Sequence, residues 1–179
     1  MPNHSYEQRK LALIDEITAA FDGVARGDGV SISEARVIDD NGSDSERAAA
    51  RKRDTETRWQ DVPDENIFRG DSHLTFMDEV GFHYYIPAYV VWFLRNMDDE
   101  GPQSPAFNSN TFDSLIFALG ADRSGALEEF YLSKYQLFTL EQSKAIAHFL
   151  HFLQFEEEIE DLPENGAYRA LERYWGKFK

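Results

Sequence analysis

The stretch GFHYYIPAYVVWFL, residues 81–94, decides how this chain folds, because six of its fourteen residues are aromatic and a proline lies in its middle. Proline is favoured at the first position of a helix, where its missing N–H has no partner to lose. We therefore predict that Pro87 begins a helix over residues 88–96. Residues 82–86, just before it, are the best candidate in the chain for a short extended segment.

Aromatic side chains lie on several faces of this predicted helix, and two alternatives follow. If the helix is central, its neighbours enclose the rings; this alternative is favoured, since aromatic side chains usually fill protein interiors. If one side stays open, exposed tyrosine and tryptophan form a patch suited to binding another protein. The candidate binding residues under the second alternative are Tyr84, Tyr85, Tyr89 and Trp92, together with Trp59.

Helix-start signals recur along the rest of the chain. In each, a Ser or Thr is followed three residues later by Glu or Gln, so that the two side chains can cap each other's backbone N–H groups. They are Ser5 with Gln8, Ser31 with Glu34, Ser43 with Glu46, and Thr139 with Gln142. With apolar residues at helical spacing they predict helices that include 43–59 and 140–159. A final helix over 163–178 is expected to bury Tyr168 and Trp175.

Sustained alternation of apolar and polar residues is nearly absent, so the predicted fold class is predominantly α. We expect a single-domain multi-helix bundle over residues 1–179. The segment MDDEGPQSPAFNSN, residues 97–110, is acidic and contains glycine, two prolines and small polar residues. That composition predicts a flexible loop.

Charge and composition limit the classes of function. Of 179 residues, 18 are Lys or Arg and 33 are Asp or Glu, which gives a net charge of −15. Such a surface repels nucleic acid and favours a basic protein partner, although a high-salt habitat produces the same composition. The absence of cysteine excludes disulfides and thiolate metal sites. No apolar run approaches the roughly 18 residues of a membrane span. We expect a soluble, cytoplasmic protein without membrane contact or cofactor.

Few side chains in the sequence suggest chemistry. His73, Asp78, Glu79 and His83 lie close in sequence and would form a catalytic site if the chain turned back on itself. Their spacing matches no known motif, so a polar turn is the favoured alternative. His148 and His151 are three residues apart on a predicted helix, but they lack a third ligand, and we predict no metal site.

The segment 43–59 carries arginines instead of a broad apolar stripe. Arg47 and Arg51 share one side of the predicted helix with Asp54 and Arg58. A charged face of this kind is usually solvated, and the alternative is a recognition face for carboxylates of a partner. An acidic cluster over residues 156–161 similarly either solvates a helix end or contacts a basic protein.

Three segments together resemble an uncharacterised bacterial family, a domain of unknown function. They are SISEARVIDDNGSDSERAAARKRDTETRWQDVP at 31–63, GFHYYIPAYVVW at 81–92 and FTLEQ at 138–142. The resemblance implies a bacterial source and a single domain. It implies no activity and no site.

The leading functional hypothesis is a non-catalytic protein of the immunity or antitoxin kind. It would bind a basic partner protein through an acidic and aromatic surface. One alternative is a small enzyme with a His, Asp and Glu site near residues 78–83. Another is a DNA mimic that presents carboxylates in rows resembling phosphates.

Overall fold

The computed structural model describes residues 5–68, 73–97, 106, 110–120, 126–155 and 166–179. These residues form ten α-helices and two short 3-10 helices, and they contain no strand, which confirms the predominantly α fold. The α-helices are α1 Tyr6–Ala20, α2 Ile32–Asp39, α3 Asp44–Arg51, α4 Asp64–Phe68, α5 His73–Phe76, α6 Glu79–Asn96, α7 Asn110–Leu119, α8 Ala126–Tyr135, α9 Leu140–Phe155 and α10 Gly166–Arg173. The 3-10 helices are Trp59–Asp61 and Trp175–Phe178.

Helix α6 lies at the centre of the molecule. It packs against α1, α4, α5, α7 and α8 and against the first 3-10 helix. From Gly81 to Leu94, every residue except His83 is buried. A helix that is apolar on all faces is stable only when other elements enclose it, and five helices do so here. The structure therefore supports the core alternative for the aromatic stretch.

The predicted start of this helix is wrong. Residues 82–86 are helical, not extended, and Pro87 lies inside α6 instead of beginning it. The helix starts at Glu79 because the Asp78 carboxylate accepts the backbone N–H of Gly81 at 2.8 Å and caps the first turn. Pro87 supplies no N–H to the carbonyl of His83, and enclosure of the helix compensates for that lost bond.

The N-terminal end of α6 is held against the loop before α2. The same Asp78 oxygen that caps α6 also accepts the backbone N–H of Val30 at 2.8 Å. This approach requires glycine, because a Cβ on Gly81 would lie 2.3 Å from the Val30 carbonyl oxygen. Gly81 therefore lies where the backbones of α6 and of the loop before α2 approach closely.

All four helix-start signals are confirmed. Complete capping boxes precede α1, α2 and α3. At α9, the Thr139 N–H donates to the Gln142 side chain at 2.9 Å, and the Gln142 N–H donates to the Thr139 hydroxyl at 3.2 Å. These bonds are local in sequence, and this is why sequence spacing alone locates them.

Helix α3 is much shorter than the predicted helix over 43–59. It ends at Arg51, and Asp54 is buried against the start of α2. There the Asp54 carboxylate accepts the backbone N–H of Ser33 at 2.9 Å and its hydroxyl at 2.8 Å. A carboxylate at a helix N-terminus is stabilised by the free N–H groups and the helix dipole. Asp54 therefore stabilises the start of α2. Helix α3 ends before Asp54, so that this side chain can reach Ser33.

The C-terminal helices close the core. Helix α9 packs against α1 and α10, and Trp175 is fully buried with its indole N–H donating to the Leu119 carbonyl at 2.9 Å. Burial of Trp175 is confirmed, but Tyr168 is 47% exposed, which contradicts the predicted buried face. Most of the predicted loop over 97–110 and the acidic cluster over 156–161 lie outside the described residues. Within the described part of the chain, no helix is long and apolar enough to cross a membrane.

Candidate functional site

The aromatic residues predicted as binding candidates are buried. Tyr84, Tyr85 and Tyr89 have no exposed surface, and Trp92 and Trp59 are 5% and 2% exposed. The two tryptophans border a cavity of about 80 Å³, well below the roughly 300 Å³ at which ligand pockets begin. These side chains do not form a surface patch, because the helices packed around α6 cover them.

Tyr85 belongs to a buried polar cluster that ties the loop before α2 to α6. Its hydroxyl donates to the Glu56 carboxylate at 2.8 Å and accepts from the Arg26 guanidinium at 2.8 Å. Arg26 also donates to the Asp54 carbonyl at 2.8 Å. Burial raises the pKa of the Tyr85 hydroxyl far above its ordinary value, and burial raises that of Tyr84 to about 12. The cluster therefore links the loop before α2 and the chain after α3 to α6.

The two candidate arginines of α3 have separate environments. The Arg51 guanidinium donates to the Glu34 carboxylate at 2.7 Å and to the carbonyls of Gly29 and Gly27 at 2.8 Å each. Burial alone would raise the pKa of Glu34, but hydrogen bonds from Ser31 and Arg51 outweigh it and lower that pKa. Arg51 therefore holds the loop before α2. It makes no ion pair with Asp54, whose carboxylate is engaged by Ser33.

Arg47 lies one turn from Asp44, 3.6 Å away in a surface ion pair. Such pairs contribute little to stability, typically below about 1 kcal/mol. Arg47 and Arg51 bind different partners, Asp44 and Glu34. Helix α3 therefore does not present the two arginines as one recognition face.

The candidate catalytic residues near 78–83 are engaged apart from one another. The His83 ring nitrogen Nε2 is 2.8 Å from the Gln142 side-chain oxygen, and the ring lies between Phe21 and Phe138. Burial lowers the pKa of His83, so it is neutral at pH 7. Asp78 caps α6, and Glu79 is exposed. Nothing in this arrangement orients a base toward a substrate.

His73 is buried at the start of α5, where it borders a cleft along α2. His148 forms a surface contact with Glu16 at 2.8 Å. Among the described residues, no group of three or more His, Asp or Glu side chains is arranged to hold a metal ion.

Two exposed aromatic rings, one on α7 and one on α8, contact the same buried ring. Phe117 is 52% exposed and Phe130 is 43% exposed. Both rings make edge contacts with the buried ring of Tyr131, at centroid distances of 5.6 and 5.5 Å. The buried Lys134 ammonium lies 4.4 Å from the Phe130 ring centroid. Buried side chains therefore contact both rings, and about half of each phenylalanine is exposed to solvent.

Exposed acidic residues occur near both phenylalanines in the sequence of these helices. Asp113 lies one helical turn before Phe117 on α7, and Glu129 directly precedes Phe130 on α8; both acids are exposed. We call Asp113, Phe117, Glu129 and Phe130 the α7–α8 surface. The sequence did not single it out, because Phe117 stands in the apolar run NTFDSLIFAL, where periodicity does not distinguish an outward ring from a core ring.

A separate cleft of about 540 Å³ runs along α2. Ile32 and Val37 are its apolar residues, Arg36 and Arg53 carry positive charge, and Asp40, Asp54 and Glu65 carry negative charge. We call it the α2 cleft. Its volume is within the range of small-molecule sites, roughly 300 to 1,000 Å³. The sequence does not reveal this cleft, because Arg36 and Arg53 lie seventeen positions apart. Both border it only once α2 packs beside the chain that follows α3.

The chain belongs to a family of unknown function, DUF6714, whose model matches residues 9–179. The resemblance to a domain of unknown function is thereby confirmed, and its bacterial source stays a prediction. No curated protein and no solved structure matches the chain.

Proposed function

We propose that this member of the family is a non-catalytic protein that binds a basic partner protein through the α7–α8 surface. The observation that supports this proposal most directly is the pair of exposed phenylalanine rings supported by buried Tyr131. Aromatic side chains that are rigid and half exposed are typical of the residues that contribute most to protein–protein affinity. The proposal keeps the acidic and aromatic surface expected from the sequence but moves it from α6 to α7 and α8.

The exposed surface of the two rings gives an estimate of their contribution to the binding free energy. Each is already about half buried, so covering the remainder contributes about 1 kcal/mol per ring. Removing both rings is then worth about 2 kcal/mol, which is roughly a thirtyfold change in dissociation constant. That change is large enough to measure and small enough to leave residual binding.

The acids contribute mainly to the rate of association. A net charge of −15 attracts a basic protein over a distance comparable to the Debye length. Exposed charges at the edge of an interface accelerate encounter and add little to the lifetime of the complex. Replacing Asp113 and Glu129 with amides should therefore lower the association rate constant at low salt and leave the dissociation rate constant nearly unchanged.

Within this proposal, the partner is a basic protein whose activity the chain blocks, as immunity proteins and antitoxins do. A cytoplasmic location and a bacterial source fit that role. The geometry around Asp78 and His83 offers no comparable support for the enzyme alternative, since both side chains bind other groups.

Photo-crosslinking from a defined position identifies the partner. Benzoylphenylalanine is placed at Phe117 in the full chain, and the matched control carries it at Phe155, an unrelated phenylalanine that is 55% exposed. Both proteins are irradiated in lysate of the source organism. We expect a basic protein that is crosslinked from position 117 and not from position 155.

The captured protein is then purified and its affinity is measured directly. The double variant F117A/F130A should bind roughly thirtyfold more weakly than wild type, and F155A should bind as wild type. Equal affinity for both variants, or no specific crosslink from position 117, would refute the proposal. If the purified partner inhibits growth when expressed alone and not with this chain, the immunity or antitoxin role is supported.

A further inference from the structure

We infer that the α2 cleft binds a free α-amino acid, with the ligand carboxylate on Arg36 and Arg53 and its ammonium group on Asp40. This site is independent of the α7–α8 surface and goes beyond the proposed protein-binding function. The cleft is large enough for such a ligand, and charged groups at a spacing that suits its two charges border it.

Three charged groups of the cleft, those of Arg36, Arg53 and Asp40, are available to a ligand. Among the described residues, no hydrogen bond or ion pair engages the guanidinium groups of Arg36 and Arg53 or the carboxylate of Asp40. The chain has 33 acidic and 18 basic residues. A shortage of carboxylates therefore does not explain why these two arginines have no ion pair. By contrast, Arg51 of the neighbouring helix is bonded to Glu34 and to three backbone carbonyls.

Asp54 and Glu65 also border the cleft. Glu65 has an interaction of its own, and the charge of Asp54 is already used. Its two carboxylate oxygens accept the N–H and the hydroxyl of Ser33 at 2.9 and 2.8 Å. The side chain is 4% exposed, so it has little surface to offer a ligand. It does not reduce the attraction of the two guanidinium groups for a carboxylate as strongly as a free carboxylate would.

Spacing along α2 fits a ligand whose two charges are close together. Arg36 and Asp40 are four residues apart, so they are neighbours on one side of the helix end, with about 5 to 6 Å between their Cβ atoms. Arginine binds a carboxylate with two parallel hydrogen bonds. An α-amino acid carries its carboxylate and its ammonium group on the same carbon, and it can therefore contact both side chains at once.

A zwitterion fits this cleft better than a simple anion does. Asp40 would repel an anion held by Arg36, and the net charge of −15 would repel it from a distance. A zwitterion has no net charge, so the field of the protein does not oppose its approach. Val37, which is partly exposed, provides apolar surface against which the ligand side chain would lie.

Each of the twenty L-amino acids is the probe in the test. The full chain, labelled with nitrogen-15, is titrated with each one, and backbone amide shifts are followed by NMR. We expect at least one amino acid to give saturable shifts at Ser33, Val37 and Asn66, which border the cleft. Absence of saturable shifts there for all twenty at concentrations up to about 20 mM would overturn the inference, because a site selective for the class would bind one of them well below that level.

Chemical derivatives of the amino acid that binds best then identify the groups that are recognised. Its N-acetyl derivative keeps the carboxylate and loses the ammonium, and its amide keeps the ammonium and loses the carboxylate. Both should bind at least tenfold more weakly, because each lacks one charge-assisted hydrogen bond. Equal binding of the N-acetyl derivative would show a site for simple anions and would refute the role of Asp40.

Variants of this chain complete the test. R36Q and R53Q should each weaken amino acid binding about tenfold or more, and R169Q, which removes an exposed arginine of α10, should not change it. D40N should reduce the preference for the free amino acid over its N-acetyl derivative. Unchanged binding by R36Q and R53Q would overturn the inference. Partner binding through the α7–α8 surface should be unaffected by any of these variants, so the two proposals can fail separately.

Discussion

Replacement of Lys134 with methionine should make the stability of the protein less dependent on pH. Lys134 is 2% exposed, and its ammonium donates to the carbonyls of Leu74 and Thr75 at 3.1 and 2.7 Å. Burial lowers the pKa of Lys134 to about 8, although the negative charge of Asp78 acts to raise it. Methionine has a similar length and no charge, so K134M removes this ionisation from the folded state.

The sign of the effect follows from proton binding. Between the folded pKa of about 8 and the ordinary value of 10.5, the unfolded chain binds the proton more tightly than the folded chain does. Stability contributed by Lys134 therefore rises as the pH rises through this window. The penalty for the buried charge is fully present below pH 8 and is relieved toward pH 10.5.

The magnitude follows from the same two pKa values. Each pKa unit corresponds to about 1.4 kcal/mol, so between pH 7 and pH 10 the wild type should gain about 2 to 3 kcal/mol relative to K134M. Loss of the two hydrogen bonds to Leu74 and Thr75 adds a further difference, but that difference is the same at every pH. The change with pH therefore isolates the buried charge.

Urea unfolding followed by circular dichroism measures this effect. Free energies of unfolding are compared for wild type, K134M and the control K144M, which replaces an exposed lysine of α9, at pH 7, 8, 9 and 10. Ionisation of Tyr84 and Tyr85 on unfolding lowers the stability of all three proteins above pH 10, and it cancels in the differences. A difference between wild type and K134M that stays constant within about 0.5 kcal/mol from pH 7 to pH 10 would refute the burial of a charged Lys134.

Three further substitutions test contacts that hold α2 and α6, each by urea unfolding at pH 7. G81A should destabilise the protein by about 2 to 3 kcal/mol, because the added methyl group would meet the Val30 carbonyl oxygen at 2.3 Å. Y85F removes the hydroxyl that donates to Glu56 and should cost about 1 to 2 kcal/mol. D54A removes the carboxylate at the start of α2 and should also cost about 1 to 2 kcal/mol. Y168F and D22A, which change exposed residues, are the controls. A variant that is as stable as these controls would contradict the contact that it was designed to remove or disturb.

Sequence spacing predicts local features of this fold well. The capping boxes at Ser5, Ser31, Ser43 and Thr139 are all present, because each is made by residues three positions apart. The ends of elements are predicted less well where a distant residue decides them. Helix α3 stops at Arg51 because Asp54 is required at the start of α2, and nothing within residues 43–59 signals that requirement.

The error at Pro87 has the same cause. Proline favours the first turn of a helix, and the rule fails here because Asp78 caps an earlier start and simultaneously binds Val30. The identity of the solvent-facing aromatic residues is also a tertiary property. Tyr84 and Phe117 both stand in apolar runs, yet one is fully buried and the other is 52% exposed, since only the position of the neighbouring helices separates them.

The arginines show how structure separates residues that stabilise the fold from residues that are free to bind. Arg26 is bonded to Glu56 and to the Asp54 carbonyl, both after α3, and Arg51 is bonded to Glu34 of α2 and to the Gly29 carbonyl in the loop before it. Substituting them would disturb folding, so a loss of binding in such variants would not locate a site. Arg36 and Arg53 are exposed and make no such contacts among the described residues, so their substitution should leave the free energy of unfolding within about 0.5 kcal/mol of wild type. Loss of ligand binding at unchanged stability is then evidence for the α2 cleft, whereas a loss of stability in R36Q or R53Q would show that these arginines also support the fold.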